Sequence, residues 1–351
     1  MRLHLDKIAS VTRNLKLQRT VTTTDQVEAA SGTVVVGRVH GEKSVYNHLE
    51  DVHGRMSVLH EGDVIVGALG HRNALHGYEG VVPEQVRAGD LLNILNLGGV
   101  IGRCVSQNPE VGAPFEVEIL GQVLAYPEFQ SRQHQPATIA LGALAGREVA
   151  SIPPVVYVMG TCMNAGKTAA ASVIVRAFSQ AGFKVGGTKL TGVSLMRDIL
   201  SMSDYGADLA VDFTDAGVVS TGPETAPGVA HVLFSELAAK GVDVIVAETG
   251  DGIMGEYGVQ ALLADTVLRG YGRASVLCAN DPVGVAGGIA YLRDRFGISV
   301  DVVAGPATDN RVGIRFVERE VGLPAINART SPKALGAAIL DRLGLVPQGA
   351  A

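Results

Sequence analysis

Nine consecutive residues carry the clearest chemical signal in the sequence: Gly160-Thr161-Cys162-Met163-Asn164-Ala165-Gly166-Lys167-Thr168. They lie between an apolar run, Val155 to Met159, suited to a strand buried on both faces, and a stretch from Lys167 to Ala181 with Ala, Val, Ile and Phe at helical spacing. Small residues let backbone N–H groups of Gly160, Thr161, Asn164, Ala165 and Gly166 turn inward around phosphates, and the following helix presents its positive end. Lys167 would reach the outer phosphate oxygens and Thr168 would hold Mg²⁺, so the segment reads as a nucleoside triphosphate cradle. Five residues separate Gly160 from Gly166, one more than the usual four.

Phosphoryl chemistry needs a second anionic anchor for the metal, delivered from a neighbouring strand end. The run Val242 to Ala247 followed by Glu248 has that form. Asp212 is a further candidate ligand. Asp208 and Asp212 are four apart and would share one face of a helix. Lys189, after an apolar strand, and Thr191 begin a segment up to Thr221 that is unusually rich in candidate ligands. Asn280, at the end of another strand, would meet the base; Asp281 and Val283 stand where a guanine-reading loop carries lysine and aspartate, which favours ATP.

The loop resembles that of dethiobiotin synthetase, a P-loop NTPase, and Gly160-Thr161-Cys162 resembles the loop of the D-glutamate N-acetyltransferase family. The resemblance extends through Lys189-Leu190-Thr191-Gly192, Asp212-Phe213 and Glu248, over about residues 155 to 285. It implies an ATP- and Mg²⁺-dependent enzyme, a carboxylate-activating ligase or a phosphotransferase, acting on a small anionic acceptor. It also implies that Lys189 faces the substrate as a catalytic clamp on developing negative charge, with Thr191 and Gly192 beside it at the substrate. Two other readings stay open: a nucleotide-gated binding protein or chaperone, and an acyltransferase whose loop grips the phosphates of coenzyme A.

Such residues must be carried by a scaffold, and the chain of 351 residues is long enough for about two domains. From residue 151 the rhythm is strand, loop, helix, with strands expected at Lys184 to Thr188, Val242 to Ala247, Ala274 to Ala279 and Ser299 to Ala304. That alternation is the mark of an α/β P-loop NTPase domain with a mostly parallel, doubly wound sheet. Residues 1 to 150 read instead as a small, mostly β, barrel-like domain that contributes to the acceptor pocket. Its strands are expected at Thr33 to Val39, Asp63 to Leu69, Leu91 to Leu95, Val100 to Val105 and Phe115 to Leu120, each bounded by Gly, Pro or Asn. The Gly-Asp turns at Gly62-Asp63 and Gly89-Asp90 repeat one pattern, and a polar, Pro-bounded stretch from 125 to 136 precedes the boundary.

Composition narrows the function classes. Only 18% of residues are charged, the net charge of −6 is shared evenly across residue 150, and no tryptophan is present, which argues against a nucleic-acid surface. No apolar run approaches a membrane span and no signal-peptide core follows Met1, so a cytoplasmic protein is expected. Cys104, Cys162 and Cys278 are too far apart for a C-x-x-C metal or redox pair. Six of the nine histidines, His40, His48, His53, His60, His71 and His76, fall in the strand-rich region from about 31 to 124, without metal-site spacing; the loop from Gly70 to Gly77, with His71 and His76, is basic and suits contact with an anion. A homodimer is an open possibility for the assembly.

Overall fold

A computed structural model describes residues 1–126 and 133–346. The central part of the stretch from 125 to 136 therefore lies outside the described residues. The chain forms two compact units, one of residues 1–144 with 193–197 and 214–220, the other of 145–192, 198–213 and 221–351. A single cut near residue 150 does not reproduce this division, because the chain of the second half enters the first unit twice.

In the first unit, five strands close on themselves. Val34–His40 lies antiparallel between Glu116–Ala125 and Val64–Leu69. Val64–Leu69 runs parallel to Val100–Gln107, which pairs with Leu91–Ile94, and that strand returns to Glu116–Ala125. The expected barrel is thus present, and closure removes the open edges a five-stranded sheet would expose. Val35, Val36, Ile65, Val66, Ile101, Val117 and Ile119 fill its core. The two Gly-Asp turns are built alike. Gly62 and Gly89 take positive φ (86° and 93°), and Asp63 and Asp90 each accept the backbone N–H three residues earlier, from His60 at 2.7 Å and from Arg87 at 2.8 Å. The two entering segments belong to this unit: Val219 is buried in its core, and Arg13 pairs with Asp215 at 3.0 Å.

The second unit is built on six strands: β1 (Val155–Gly160), β2 (Val185–Lys189), β3 (Leu209–Asp212), β4 (Val244–Glu248), β5 (Gly272–Cys278) and β6 (Val302–Ala304). Their order is β3-β2-β4-β1-β5-β6 and every pairing is parallel. Helices α1 (Lys167–Gln180), α2 (Arg197–Asp204), α3 (Ala226–Ala239), α4 (Pro282–Phe296) and α5 (Pro332–Leu343) supply crossovers and cover. The continuous apolar runs in β1 and β4 are buried along their whole length, as strands covered on both faces require. Ala170, Ala171, Ile174 and Phe178 of α1 pack on Val156, Val158, Val244 and Val246.

One local expectation is corrected. Asp208 and Asp212 do not share a helix face, because 209–212 is strand β3; Asp208 precedes it and accepts the Val185 N–H at 2.8 Å. The four-residue spacing was compatible with a helix, but Leu209-Ala210-Val211 gains more by pairing with Gly186-Gly187-Thr188 in the sheet. Among the described residues no helix is long and apolar enough to cross a membrane.

Candidate functional site

The loop from Gly160 to Thr168 leaves the carboxyl end of β1, in the sheet's interior, and enters α1 directly. Asn164 and Gly166 both take positive φ (60° and 90°), turning the loop sharply just before the helix. Thr161 N–H donates to Cys278 O at 2.9 Å, and Gly160 O accepts the Ile253 N–H at 2.8 Å, so β5 and the segment after β4 hold the loop's base. Gly252 is essential to that approach: a Cβ there would lie 2.5 Å from Thr161 O. Lys167 is buried and folds over Gly160, donating to Cys162 O at 2.8 Å.

Register brings the remaining groups together. Lys189, the last residue of β2, is opposite Asp212 in β3 and Glu248 in β4, so three charged residues stand in a row along the carboxyl edge where open α/β sheets bind ligands. Asp198, near the start of α2, joins them. Its Oδ1 accepts from Thr168 Oγ1 at 3.1 Å, Glu248 Oε1 lies at the same distance from that hydroxyl, and Lys189 Nζ pairs with Asp198 Oδ2. Thr168, the first-turn residue of α1, thus stands between two carboxylates.

These carboxylates are 4% (Asp198) and 2% (Glu248) exposed, which makes their charge expensive unless compensated. Burial, reinforced by Asp198, pushes the Glu248 carboxyl up to about 7, against the pull of Lys189 and Lys167. For Lys189, burial opposes the charge, but Asp198, Glu248 and Asp212 outweigh it and hold the ammonium above its ordinary pKa. Glu248 Oε2 is buried and accepts no hydrogen bond among the described residues. A carboxylate oxygen in that state beside a threonine hydroxyl and a second carboxylate fits a hard divalent cation that keeps most of its own water. Among the described residues no cluster of three or more His, Cys, Asp or Glu side chains forms a closed metal cage.

The other expected residues fall as follows. Asp212 is fully buried at the end of β3, and it is Asp198 that reaches Thr168; sequence spacing offered no means of choosing between them. Thr191 is also fully buried, its hydroxyl donating to Gly250 O at 2.9 Å, while Gly192 N–H donates to Thr221 Oγ1 at 2.9 Å. Both brace the backbone behind Lys189. Asn280 is exposed, its amide nitrogen 3.0 Å from Cys162 Sγ, which places it at the loop's rim. Asp281 caps α4 by accepting the Gly284 N–H at 2.9 Å, and Val283 is exposed. Asp251, with φ of 66° and a carboxyl raised by burial, was not anticipated. Its only sequence signal is its place in Thr249-Gly250-Asp251-Gly252.

No protein-family model matches the chain, and no curated protein matches it. Among solved structures, the chain is similar to the signal recognition particle 54 kDa protein of Aeropyrum pernix K1 in complex with GDP, with 16% identity and a TM-score of 0.36 over 59% of this chain and 50% of that one. It therefore spans half the length of that protein. It is also similar to a nucleotide-binding protein of Archaeoglobus fulgidus in complex with ADP (13% identity, TM-score 0.35, 55% of this chain and 88% of that one). A ParA family ATPase of Chlorobium tepidum TLS shows 16% identity and a TM-score of 0.33, over 54% of this chain and 95% of that one. In this chain, a glycine-bounded loop joins an interior strand of a parallel sheet to a helix that opens with Lys167-Thr168, and that connection gives the second unit a P-loop NTPase fold.

Proposed function

We propose that the protein is a Mg²⁺- and ATP-dependent enzyme that activates or phosphorylates a small anionic acceptor. The observation that carries this reading is the position of Thr168 Oγ1, 3.1 Å from both Asp198 and Glu248, at the mouth of a loop shaped for phosphates. Backbone N–H groups of residues 160–166 and the start of α1 bind the phosphate chain, and Lys167 exchanges Cys162 O for a phosphate oxygen. Thr168, Glu248 and Asp198 would hold Mg²⁺, which when bound neutralises phosphate charge. Lys189 lies next to that cluster with its charge secured by Asp198, suited to stabilising negative charge on the transferred group. Asn280 at the rim is suited to the base, and the absence of an aspartate at Val283 supports ATP over GTP.

Equilibrium binding of ATP, with and without Mg²⁺, tests the reading directly. Binding should need Lys167, and Glu248→Gln should weaken the Mg²⁺-dependent part while sparing metal-free binding. Phosphate release or ADP formation should rise when small carboxylates or phosphorylated acceptors are supplied. A chain that binds ATP equally well as Lys167→Ala, or whose Mg²⁺ titration is unchanged by Glu248→Gln, does not work this way.

A further inference from the structure

A cavity of about 440 Å³ opens in the second unit where β5 begins, and none of its lining residues belongs to the phosphate loop or to the charged row at the carboxyl edge. Its floor is apolar. Tyr157 and Met159 of β1 are buried, as are Leu262 and Leu263, and Phe296 at the end of α4 is half-buried. Tyr157 Oη donates to Leu268 O at 2.8 Å, so this residue offers the cavity its ring rather than a free hydroxyl. Volume and floor are those of a site for a small organic molecule.

The same lining carries three arginines, Arg269, Arg273 and Arg342, against one carboxylate, Asp301. That carboxylate is already engaged. Its Oδ1 accepts from Arg342 Nε at 2.6 Å, and its Oδ2 accepts the Ser275 N–H at 2.8 Å. Arg269 and Arg273 have only backbone carbonyls as partners among the described residues. Arg269 Nη1 donates to Phe296 O at 2.7 Å, and Arg273 Nη1 to Gly270 O at 2.7 Å and Gly272 O at 3.2 Å. The carbonyls fix where both guanidiniums stand and leave Nε and Nη2 of each without a hydrogen bond among the described residues. Those two nitrogens form the edge that grips a carboxylate or phosphate with parallel hydrogen bonds. Two charges without a counter-charge, set beside an apolar floor, focus their field into the cleft and attract anions.

We infer that this cavity binds a small amphipathic anion, a carboxylate or phosphate carried on an aromatic or aliphatic body. Arg269 and Arg273 take the oxyanion, and the floor of Tyr157, Leu262 and Leu263 takes the body. The site is independent of the phosphate loop and of the reaction proposed for it.

Calorimetric titration of the full chain with 4-phenylbutyrate, with phenyl phosphate and with the uncharged 4-phenylbutanamide tests the inference, and the two anions decide between carboxylate and phosphate. Each titration is repeated on Lys167→Ala, so that phosphate held by the loop is recognised by its loss. At least one anion should bind saturably to the parent and equally well to Lys167→Ala. The amide, which keeps the body and loses the charge, should bind about tenfold or more weakly, and Arg273→Ala should weaken the anion by a similar factor. Arg269→Ala should do the same with its circular dichroism unchanged; should that variant fail to fold, the exposed Arg273 decides alone. Four results would overturn the site: no saturable binding of either anion, binding that disappears in Lys167→Ala, an amide held as tightly as the anion, or an anion affinity that Arg273→Ala leaves unchanged.

Discussion

Lys189 stands where a structural charge and the proposed chemistry coincide. Its ammonium is the neutralising charge for Asp198 and stands beside Glu248 and Asp212, all buried. Removing one partner of such a cluster costs about 3–5 kcal/mol, because the charges left behind are desolvated. Lys189→Ala should therefore lower the unfolding midpoint and, measured well below it, cut turnover by ~10² to 10³, the effect of losing one preorganised donor. Lys189→Arg should rescue neither, since a planar guanidinium does not fit a space shaped by a compact ammonium. Turnover unchanged in both variants would remove Lys189 from the reaction. The two acids beside it separate by contact: Asp198→Asn should shift the Mg²⁺ titration of nucleotide binding about tenfold, and Asp212→Asn, whose carboxylate does not reach Thr168, much less. Equal shifts would mean that the Thr168 contact does not define the metal site.

At the scale of elements, the phosphate loop is held from behind by backbone, and its tolerance is correspondingly small. Gly252→Ala places a methyl 2.5 Å from Thr161 O and 3.0 Å from Cys162 Cα, neither of which can yield without moving the loop. Nucleotide affinity should fall about tenfold or more with the fold intact by circular dichroism, since displacements near 1 Å are enough to spoil such sites. A variant with parental affinity would show the loop to be more pliant than its contacts suggest. The short helix Thr266–Tyr271 offers a pH test. Asp265 caps it, accepting N–H groups from Val267 and Leu268 at 2.8 and 3.0 Å. Those bonds, Leu268 first, and His231 hold its carboxyl below the usual range. A depressed folded pKa gives stability that is present above the unfolded value of about 3.9 and lost as pH falls through the folded one. Asp265→Ala should cost about 1 kcal/mol at pH 7. In denaturant titrations the gap between the two proteins should narrow as pH falls through and below the usual carboxylate range; a gap that stays undiminished in acid would assign the effect to something other than the cap.

For the whole molecule, the division into units changes what a fragment can do. Residues 193–197 and 214–220 belong to the barrel unit: Asn96 donates to Ser194 O at 2.6 Å, Glu50 accepts the Met196 N–H at 2.8 Å, and Val219 is buried in the core. These segments directly precede Asp198 and follow Asp212. A chain of residues 145–351 keeps both segments and their mutual bond from Ser194 N–H to Val219 O at 2.9 Å, and loses the barrel residues they pack on. It should be cleaved by protease within 193–220 far faster than the full chain, with a broadened denaturant transition. A fragment as resistant and as cooperative as the whole would show the segments to be self-supporting.

The sequence by itself determined what is local. A strand, a glycine-bounded turn and a helix opening with Lys167-Thr168 are contiguous, so the phosphate loop was legible from nine residues. The barrel strands were legible as well, because each is bounded by Gly, Pro or Asn, and two of them are fed by Gly-Asp turns written in adjacent positions. Tertiary structure alone decided the rest. Lys189 meets Glu248 and Asp212 because parallel strands from distant parts of the chain align in one register, which helix packing sets and no spacing encodes. Asp198 was one of several acids between Lys189 and Thr221, and only the placement of α2 brought it, rather than Asp212, to Thr168. Burial and pairing depend on which surfaces meet, and a linear sequence states those only through the fold.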